Sequence, residues 1–253
     1  MDPLWLFPAL FATGTVAGFV DSIAGGGGLI TLPVLLNAGF APQDALGTNK
    51  LQATFGSGSA TWHYARAGLV DWRACVIGII FTAIGALAGT LLVRQLDPEI
   101  LKQTIPWLLI SIAIYSLLQP KLGAAPARAR MGPHVFHFAF GLLLGFYDGF
   151  FGSGTGTFWA MAYMLALGFD LLRATAHTKV MNFTSNLVSL LVFLVGHHVL
   201  FAEGLTMGLG QVVGARLGSR VVIQSGPRFI RPVFIAVVLA ITAKLLWQNL
   251  VKR

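Results

Sequence analysis

A glycine-interrupted apolar stretch occupies residues 18–52 of this chain, with the sequence GFVDSIAGGGGLITLPVLLNAGFAPQDALGTNKLQ. Asp21 stands inside apolar sequence, and four consecutive glycines, 25–28, follow it. A short apolar piece, 29–38, follows. Three polar residues, 48–50, then stand at the beginning of another apolar segment. Since glycine is unfavourable inside a helix, the run predicts a helix that breaks and restarts.

The same layout returns in residues 145–186, GFYDGFFGSGTGTFWAMAYMLALGFDLLRATAHTKVMNFTSN. Asp148 corresponds to Asp21, and Lys179 to Lys50, at an offset of 129 residues for the lysines that then holds over most of each half. Short, glycine-interrupted apolar segments at corresponding positions of two halves are typical of secondary transporters, whose binding site lies at such breaks. The sequence therefore predicts two homologous repeats.

Composition is typical of an integral membrane protein. Of the 253 residues, 56% are hydrophobic and only 10% are charged, with a mean hydropathy of +0.77. Such a chain lacks the polar side chains that cover the surface of a soluble domain. The net charge of +8 arises from basic residues between apolar segments rather than from a basic patch with interleaved aromatic residues. We therefore expect the lipid bilayer as a partner, and no nucleic acid.

Eight apolar segments are long enough to span about 30 Å of hydrocarbon, which takes about 20 helical residues. They are residues 4–23, 46–64, 72–93, 100–118, 135–151, 172–195, 202–223 and 229–250. The predicted fold class is an all-α polytopic membrane protein with about 8–10 membrane segments, depending on whether the short pieces 29–38 and 158–167 cross. We divide it into a first transmembrane repeat (1–118), a basic linker (119–133) and a second transmembrane repeat (134–253).

The distribution of lysine and arginine favours a crossing by both short pieces. If both cross, there are ten segments and most basic loops share one side, whereas with re-entrant pieces the charge bias nearly vanishes. Because cytoplasmic loops carry an excess of basic residues, we prefer ten segments with both termini outside. Five segments per repeat is an odd number, so the repeats would be inverted relative to each other.

Several motifs resemble one family along nearly the whole chain. They are residues 21–28 (DSIAGGGG), 47–52 (GTNKLQ), 146–152 (FYDGFFG), 174–179 (ATAHTK) and 214–220 (GARLGSR). These motifs are similar to those of the TauE/SafE sulfite exporter family, and most similar to its YfcA-like branch of bacterial permeases. The resemblance implies a multi-pass protein of the bacterial inner (cell) membrane that transports sulfite or small organosulfur anions such as sulfonates.

The glycine breaks carry the predicted substrate site. A half-helix that begins at about Gly28 or Gly156 leaves free backbone N–H groups and a positive dipole end inside the membrane, where an anion can bind. Close helix packing is the alternative role for these glycines. The predicted substrate-binding residues are Gly25, Gly26, Gly27, Gly28, Asn49, Lys50, Gln52, Gly152, Ser153, Gly154, His177, Lys179, Asn182 and Asn186.

Charged residues around the breaks have two possible roles each. Lys50 and Lys179 would supply positive charge to an anion site, or else snorkel to the membrane interface. Asp21 and Asp148 would repel an anion unless protonated or paired with lysine, so we expect a coupling or counter-ion role, with capping of the broken backbone as the alternative. His177 would add a charge that switches near neutral pH, or is simply a satisfied polar side chain.

The sequence contains no motif of an enzyme. A Gly-x-Ser-x-Gly elbow and a phosphate-binding loop are both missing, and a single cysteine, Cys75, without spaced ligands predicts no metal and no cofactor. We therefore expect a secondary transporter for a small anionic substrate. An anion channel is the alternative, since glycine-lined breaks also conduct ions, and an intramembrane enzyme is a weaker one. Homo-oligomer formation stays open at this stage.

Overall fold

The computed structural model describes residues 3–118 and 128–225, and these form nine α-helices and no strand. Seven helices are long: α1 (Pro3–Ala24), α3 (Pro42–Arg66), α4 (Trp72–Arg94), α5 (Pro98–Leu118), α6 (Pro133–Phe150), α8 (Leu171–Val195) and α9 (Phe201–Ser225). Two are short: α2 (Gly27–Asn37) and α7 (Thr155–Leu167). The all-α class is confirmed for this part of the chain. The predicted segment 229–250 and residues 119–127 of the predicted linker lie outside the described residues.

Three of the described helices are long and apolar enough to cross a membrane by length and composition, namely Trp5–Ile23 of α1, the whole of α4 and the whole of α8. In α3, polar residues such as Asn49 and Gln52 interrupt the apolar sequence, but they are buried against other helices. Large apolar side chains instead cover the outer surface, as at Trp107 and Val195, which suits contact with lipid.

Glycines let two pairs of helices approach closely. Gly14 and Gly18 of α1 lie against Met207 and Gln211 of α9, so these two helices run parallel. The stripe Gly85-x-x-x-Gly89 of α4 packs in the same way against α6. Small residues allow such contacts between membrane helices. Each tight pair joins the N-terminal half of the chain to the C-terminal half.

The two helices α3 and α8 cross in the middle of the molecule. Gly47, near the start of α3, lies against Phe193, near the end of α8. Gly58, further along α3, lies against Phe183, which comes earlier in α8. The two helices are therefore antiparallel, and buried residues occur along the length of both.

The short helix α2 carries the chain back to the side on which α1 begins. Tyr64 Oη, in the last turns of α3, donates a hydrogen bond of 2.8 Å to the carbonyl of Ser22, in the last turn of α1. Leu10 and Leu46, near the starts of the same two helices, share one apolar cluster. Helices α1 and α3 are thus parallel, and the chain between them reverses direction through α2.

The short helix α7 is held by aromatic packing. Its Trp159 and Tyr163 rings stack with centroids 5.6 Å apart, and Phe136 of α6 lies 5.0 Å from the Tyr163 ring. The corresponding helix α2 packs through leucines instead, including the fully buried Leu32 and Leu35. Offset aromatic pairs add about 0.5–1.5 kcal/mol beyond their area burial, so the contact between Phe136 and Tyr163 helps to hold α7 against α6.

Candidate functional site

The N-termini of α2 and α7 abut at the centre of the molecule. Gly25, with φ of +76°, lies against Gly156, and a Cβ at Gly25 would come within 2.7 Å of the Gly156 Cα. A Cβ at Gly28 would meet Ser153 Oγ at 2.9 Å. Only glycine suits both the backbone conformation and the space at Gly25. Two helix N-termini, each with a positive dipole end, therefore face one small region.

A cavity of about 30 Å³ lies between these helix ends. This volume holds only a water molecule or two, so the site is closed in this conformation. The lining residues come from seven helices or the turns beside them: Asp21, Gly26, Gly27, Gly28, Asn49, Lys50, Gln52, Ala53, Asp148, Gly152, Gly156, Asn182, Asn186 and Gln211. Eleven of these are among the residues predicted from the sequence.

An ion pair joins Lys50 of α3 to Asp148 near the end of α6. The Lys50 Nζ lies 2.8 Å from Asp148 Oδ1 and also donates to the Asp148 carbonyl and, at 3.3 Å, to Asn186 Oδ1. All three N–H donors of the ammonium thus have an acceptor. Ser185 Oγ donates to the second carboxylate oxygen, Oδ2. The two charged side chains are only 1% and 3% exposed.

The corresponding pair joins Lys179 of α8 to Asp21 of α1. The Lys179 Nζ lies 3.2 Å from Asp21 Oδ2 and also donates to the Asp21 carbonyl. The other oxygen, Oδ1, accepts a hydrogen bond of 3.1 Å from the backbone N–H of Gly27. Asp21 is therefore a counter-ion for lysine and a cap for the first turn of α2. Its side chain remains 19% exposed, whereas Lys179 is fully buried.

Each ion pair connects the two halves of the chain, and the four charges sum to zero. In this conformation neither ammonium is free to supply net positive charge, which differs from the expectation for Lys50 and Lys179. The positive potential in the cavity comes instead from the ends of α2 and α7. A net charge would arise if either carboxylate, Asp21 or Asp148, gained a proton.

A network of amides forms the remaining wall of the cavity. Asn49 Oδ1 accepts from Gln52 Nε2 at 2.8 Å and from the hydroxyl of Thr31 in α2. Gln211 Nε2 of α9 donates to Gln52 Oε1. Within the described part of the chain, Gln211 Oε1 and Asn182 Oδ1 are buried without a hydrogen-bonding partner. Such an atom costs about 1–3 kcal/mol, so these two oxygens are available to accept a hydrogen bond from a bound molecule.

Gln211 is a site residue that the sequence reasoning missed. The sequence does contain a feature that points to Gln211: it is a polar residue inside an apolar helical segment, next to the glycine stripe Gly210, Gly214 and Gly218. Polar side chains within a membrane segment usually face the protein interior and mark functional positions. Gly156, which was predicted only as part of the break, also lines the cavity.

Several predicted site residues lie just behind the cavity wall. Gly25 and Ser153 form the contact between the two helix ends, and Gly154, with φ of +80°, caps α7. Lys179 acts through Asp21. These residues shape the cavity without lining it.

The structure does not bring His177 to the cavity. Its Nδ1 lies 2.9 Å from the carbonyl of Arg173, and its Nε2 accepts from the backbone N–H of Asp71 at 3.4 Å. The ring packs edge-on against Phe169, with centroids 5.1 Å apart. These are the contacts of a satisfied polar side chain near a helix start, and they give His177 no route to a bound substrate here.

The sulfite exporter TauE/SafE family matches residues 10–245 of the chain. The protein belongs to the TauE/SafE family. The probable membrane transporter protein YfcA of Escherichia coli K12 is 45% identical to it over 249 residues, which cover 98% of this chain and 92% of that protein. A probable membrane transporter protein of Haemophilus influenzae is 44% identical over 244 residues, or 96% of each chain.

A third relative, the probable membrane transporter protein ORF9 of Sinorhizobium sp, is 46% identical over 241 residues. These cover 95% of this chain and 92% of that protein. No solved structure matches the chain. Membership in the family makes this protein a membrane transporter and not an enzyme.

Proposed function

We propose that this protein is a secondary transporter of small sulfur oxyanions, such as sulfite or organosulfonates, which bind at the cavity between α2 and α7. The observation that carries the proposal is the meeting of two helix N-termini at a buried cavity. Backbone N–H groups at helix ends suit the oxygens of a small anion, and the unpaired oxygens of Gln211 and Asn182 would accept from the hydroxyl of a protonated anion such as hydrogen sulfite. The family description, sulfite exporter, supplies the choice of anion.

The proposed architecture is a pair of inverted repeats, 1–118 and 134–253, joined by the linker 119–133. The corresponding helices α3 and α8 run antiparallel, as inversion requires. The parallel arrangement of α1 and α3 supports a full crossing by the chain through α2, since a re-entrant α2 would leave α1 and α3 antiparallel. With the basic loops inside, both termini lie outside the inner membrane. A tag after Arg253 reached only from the cytoplasm would contradict this topology.

Transport in this proposal is coupled to protons through Asp21. A bare anion in the closed cavity would add a charge that the two neutral Lys–Asp pairs do not compensate, and little water is present to screen it. Protonation of one carboxylate would release a lysine and balance the anion. Asp21 suits this role better than Asp148, because its side chain is 19% exposed and Asp148 is sealed by Ser185 and Lys50.

The closed cavity favours a carrier over the alternative, an anion channel. In this conformation the cavity between the helix ends has a volume of only about 30 Å³. The two ion pairs beside it link the N-terminal half of the chain to the C-terminal half. A carrier opens such a site to one side at a time, whereas a channel requires a continuous path. Cavity residues would therefore change their contacts during each transport cycle.

Flux measurements in proteoliposomes test this proposal. We expect saturable transport of labelled sulfite or sulfoacetate that responds to an imposed pH gradient, with little transport of chloride. The Asp21→Asn variant should lose the response to the pH gradient, while Asp97→Asn, at an exposed turn before α5, should keep it. A large single-channel current would establish a channel instead. The absence of flux for sulfite, sulfoacetate and thiosulfate would reject the substrate class.

A further inference from the structure

We infer that a lateral groove between α3, α8 and α9 binds an anionic phospholipid. The groove has a volume of about 680 Å³ and is open to the outer surface of the helix bundle. It is separate from the substrate cavity, and no residue lines both. A lipid here would be a bound partner of the transporter rather than its substrate.

Two arginines give the groove its charge. Arg66, in the last turn of α3, and Arg216 of α9 both line it, and both are exposed. Across residues 3–118 and 128–225, neither guanidinium forms a salt bridge, and no acidic side chain lines the groove. Guanidinium groups bind phosphate oxygens in a two-pronged geometry, so a phosphodiester is the complementary ligand.

The rest of the groove is suited to an acyl chain. Phe55 and Phe183 form apolar walls. The Phe183 ring lies close to α3 because residue 58 is a glycine, and a Cβ at that position would come within 3.0 Å of the ring. Trp62 is 61% exposed, and the Arg66 guanidinium lies 5.5 Å from its ring centroid. Tryptophan beside a basic residue is typical of the level of the lipid headgroups. The groove thus combines a charged end with an apolar body, as a phospholipid does.

The positions that correspond to three of these groove residues in the other repeat carry no such charge. At the repeat offset of 129 residues, Arg66 corresponds to Val195, Trp62 to Leu191 and Arg216 to Leu87. All three of these are apolar and exposed. The charged groove is therefore specific to one face, and in the proposed topology this is the cytoplasmic face, at the end of α3. Duplication alone does not account for it.

Self-association through this groove is the competing explanation. A second copy docked there by a two-fold axis would bring the same unpaired arginines of both copies together, which like-charge repulsion disfavours. A free phosphate is also a poorer ligand, because it leaves the apolar part of the groove unused. The combined charge and shape favour a lipid with a phosphodiester headgroup.

The test compares lipids on purified, delipidated protein in a neutral detergent. Dioleoyl phosphatidylglycerol should raise the thermal unfolding midpoint more than dioleoyl phosphatidylcholine does, and glycerol phosphate without acyl chains should have little effect. In the Arg66→Gln/Arg216→Gln variant, the apparent affinity for phosphatidylglycerol should fall by about tenfold or more, since roughly 1.4 kcal/mol corresponds to a factor of ten. The matched control, Arg73→Gln/Arg220→Gln, removes two exposed arginines outside the groove and should bind like the parent.

Three outcomes would overturn the inference. Unchanged affinity in the groove variant would show that the arginines do not bind the lipid, and an equal response to glycerol phosphate would show a simple anion site. A lipid-independent dimer that dissociates in the groove variant, measured by light scattering, would show self-association. Because the assay measures lipid binding, its result does not depend on whether the protein transports sulfite.

Discussion

The Lys50–Asp148 and Lys179–Asp21 pairs have the same chemistry but different surroundings. Asp148 has its second oxygen bound by Ser185, and both members of its pair are sealed from solvent. Asp21 uses its second oxygen to cap α2 and remains 19% exposed. One pair is fully enclosed, whereas the other contacts the helix break and has a partly accessible carboxylate.

The sequence difference behind this contrast is small. Ser185 corresponds, at the repeat offset, to Gly56 of α3, which has no hydroxyl to offer Asp21. Gly56 instead leaves room for Gln211, whose amide fills the space that a Cβ would occupy. The two ion pairs thus differ in how far their carboxylates are enclosed, because a buried carboxylate is stabilised by each hydrogen bond it accepts. The less enclosed pair is the better candidate for the step that changes during transport.

The largest expected effect is the loss of Lys50. The Lys50→Met variant leaves Asp148 buried without its counter-ion, which we expect to cost about 3–5 kcal/mol of stability. Lys179→Met should cost clearly less, because Asp21 keeps its exposure and its bond to Gly27. Thermal unfolding midpoints in detergent measure both.

Equal losses for the two lysine variants would remove the distinction between the pairs. A double variant, Lys50→Met/Asp148→Leu, provides the control, since removing both charges should recover most of the stability lost in Lys50→Met. Failure to recover would assign the effect to packing rather than to the unpaired carboxylate.

A smaller effect is expected at the contact between the helix breaks. Gly25→Ala should strain a positive φ by about 1–3 kcal/mol and push against Gly156, reducing the sulfite transport rate by roughly tenfold or more. Gly39→Ala is the matched control, because Gly39 also has a positive φ, of +94°, but open space around it. Equal transport by both variants, normalised to inserted protein, would mean that close approach at Gly25 is not required.

The Ser185 hydroxyl tests the enclosure of Asp148 directly. Ser185→Ala should lower stability by about 1.5 kcal/mol, the lower end for a hydrogen bond to a charged group. Thermal unfolding measures the change, and Ser189→Ala, which loses a neutral bond of 2.8 Å to Thr90, should cost less. A larger loss for Ser189→Ala would contradict the view that Ser185 stabilises the buried charge.

The smallest expected effect is at His177. Because its ring nitrogens bond to backbone groups away from both ion pairs, His177→Asn should leave the transport KM within about twofold of the parent value, a difference below about 0.5 kcal/mol. The measurement is the concentration dependence of sulfite flux, with Asn182→Ala, at the cavity, as the comparison. A strong KM change for His177→Asn would place this histidine on the substrate path.

Local sequence patterns were enough to locate most helices. The predicted segment 72–93 matches α4 (Trp72–Arg94), and 172–195 matches α8 (Leu171–Val195), because long apolar runs allow few other structures in a membrane. The prediction for α3 began late, at residue 46, since its first turn contains Pro42 and polar residues that hydropathy does not favour. Proline suits that position, where its missing N–H has no helical partner.

The sequence by itself determined the all-α membrane class, the duplicated arrangement of acids, glycines and lysines as a prediction, and the TauE/SafE resemblance. Only the tertiary structure decided which lysine pairs with which carboxylate, that Gln211 joins the cavity and that His177 does not. The reason is that these contacts join residues as far apart as 98 and 158 positions in the chain. Local periodicity determines which face of a helix is polar, but the packing of α1 on α9 and of α3 across α8 determines which polar faces meet.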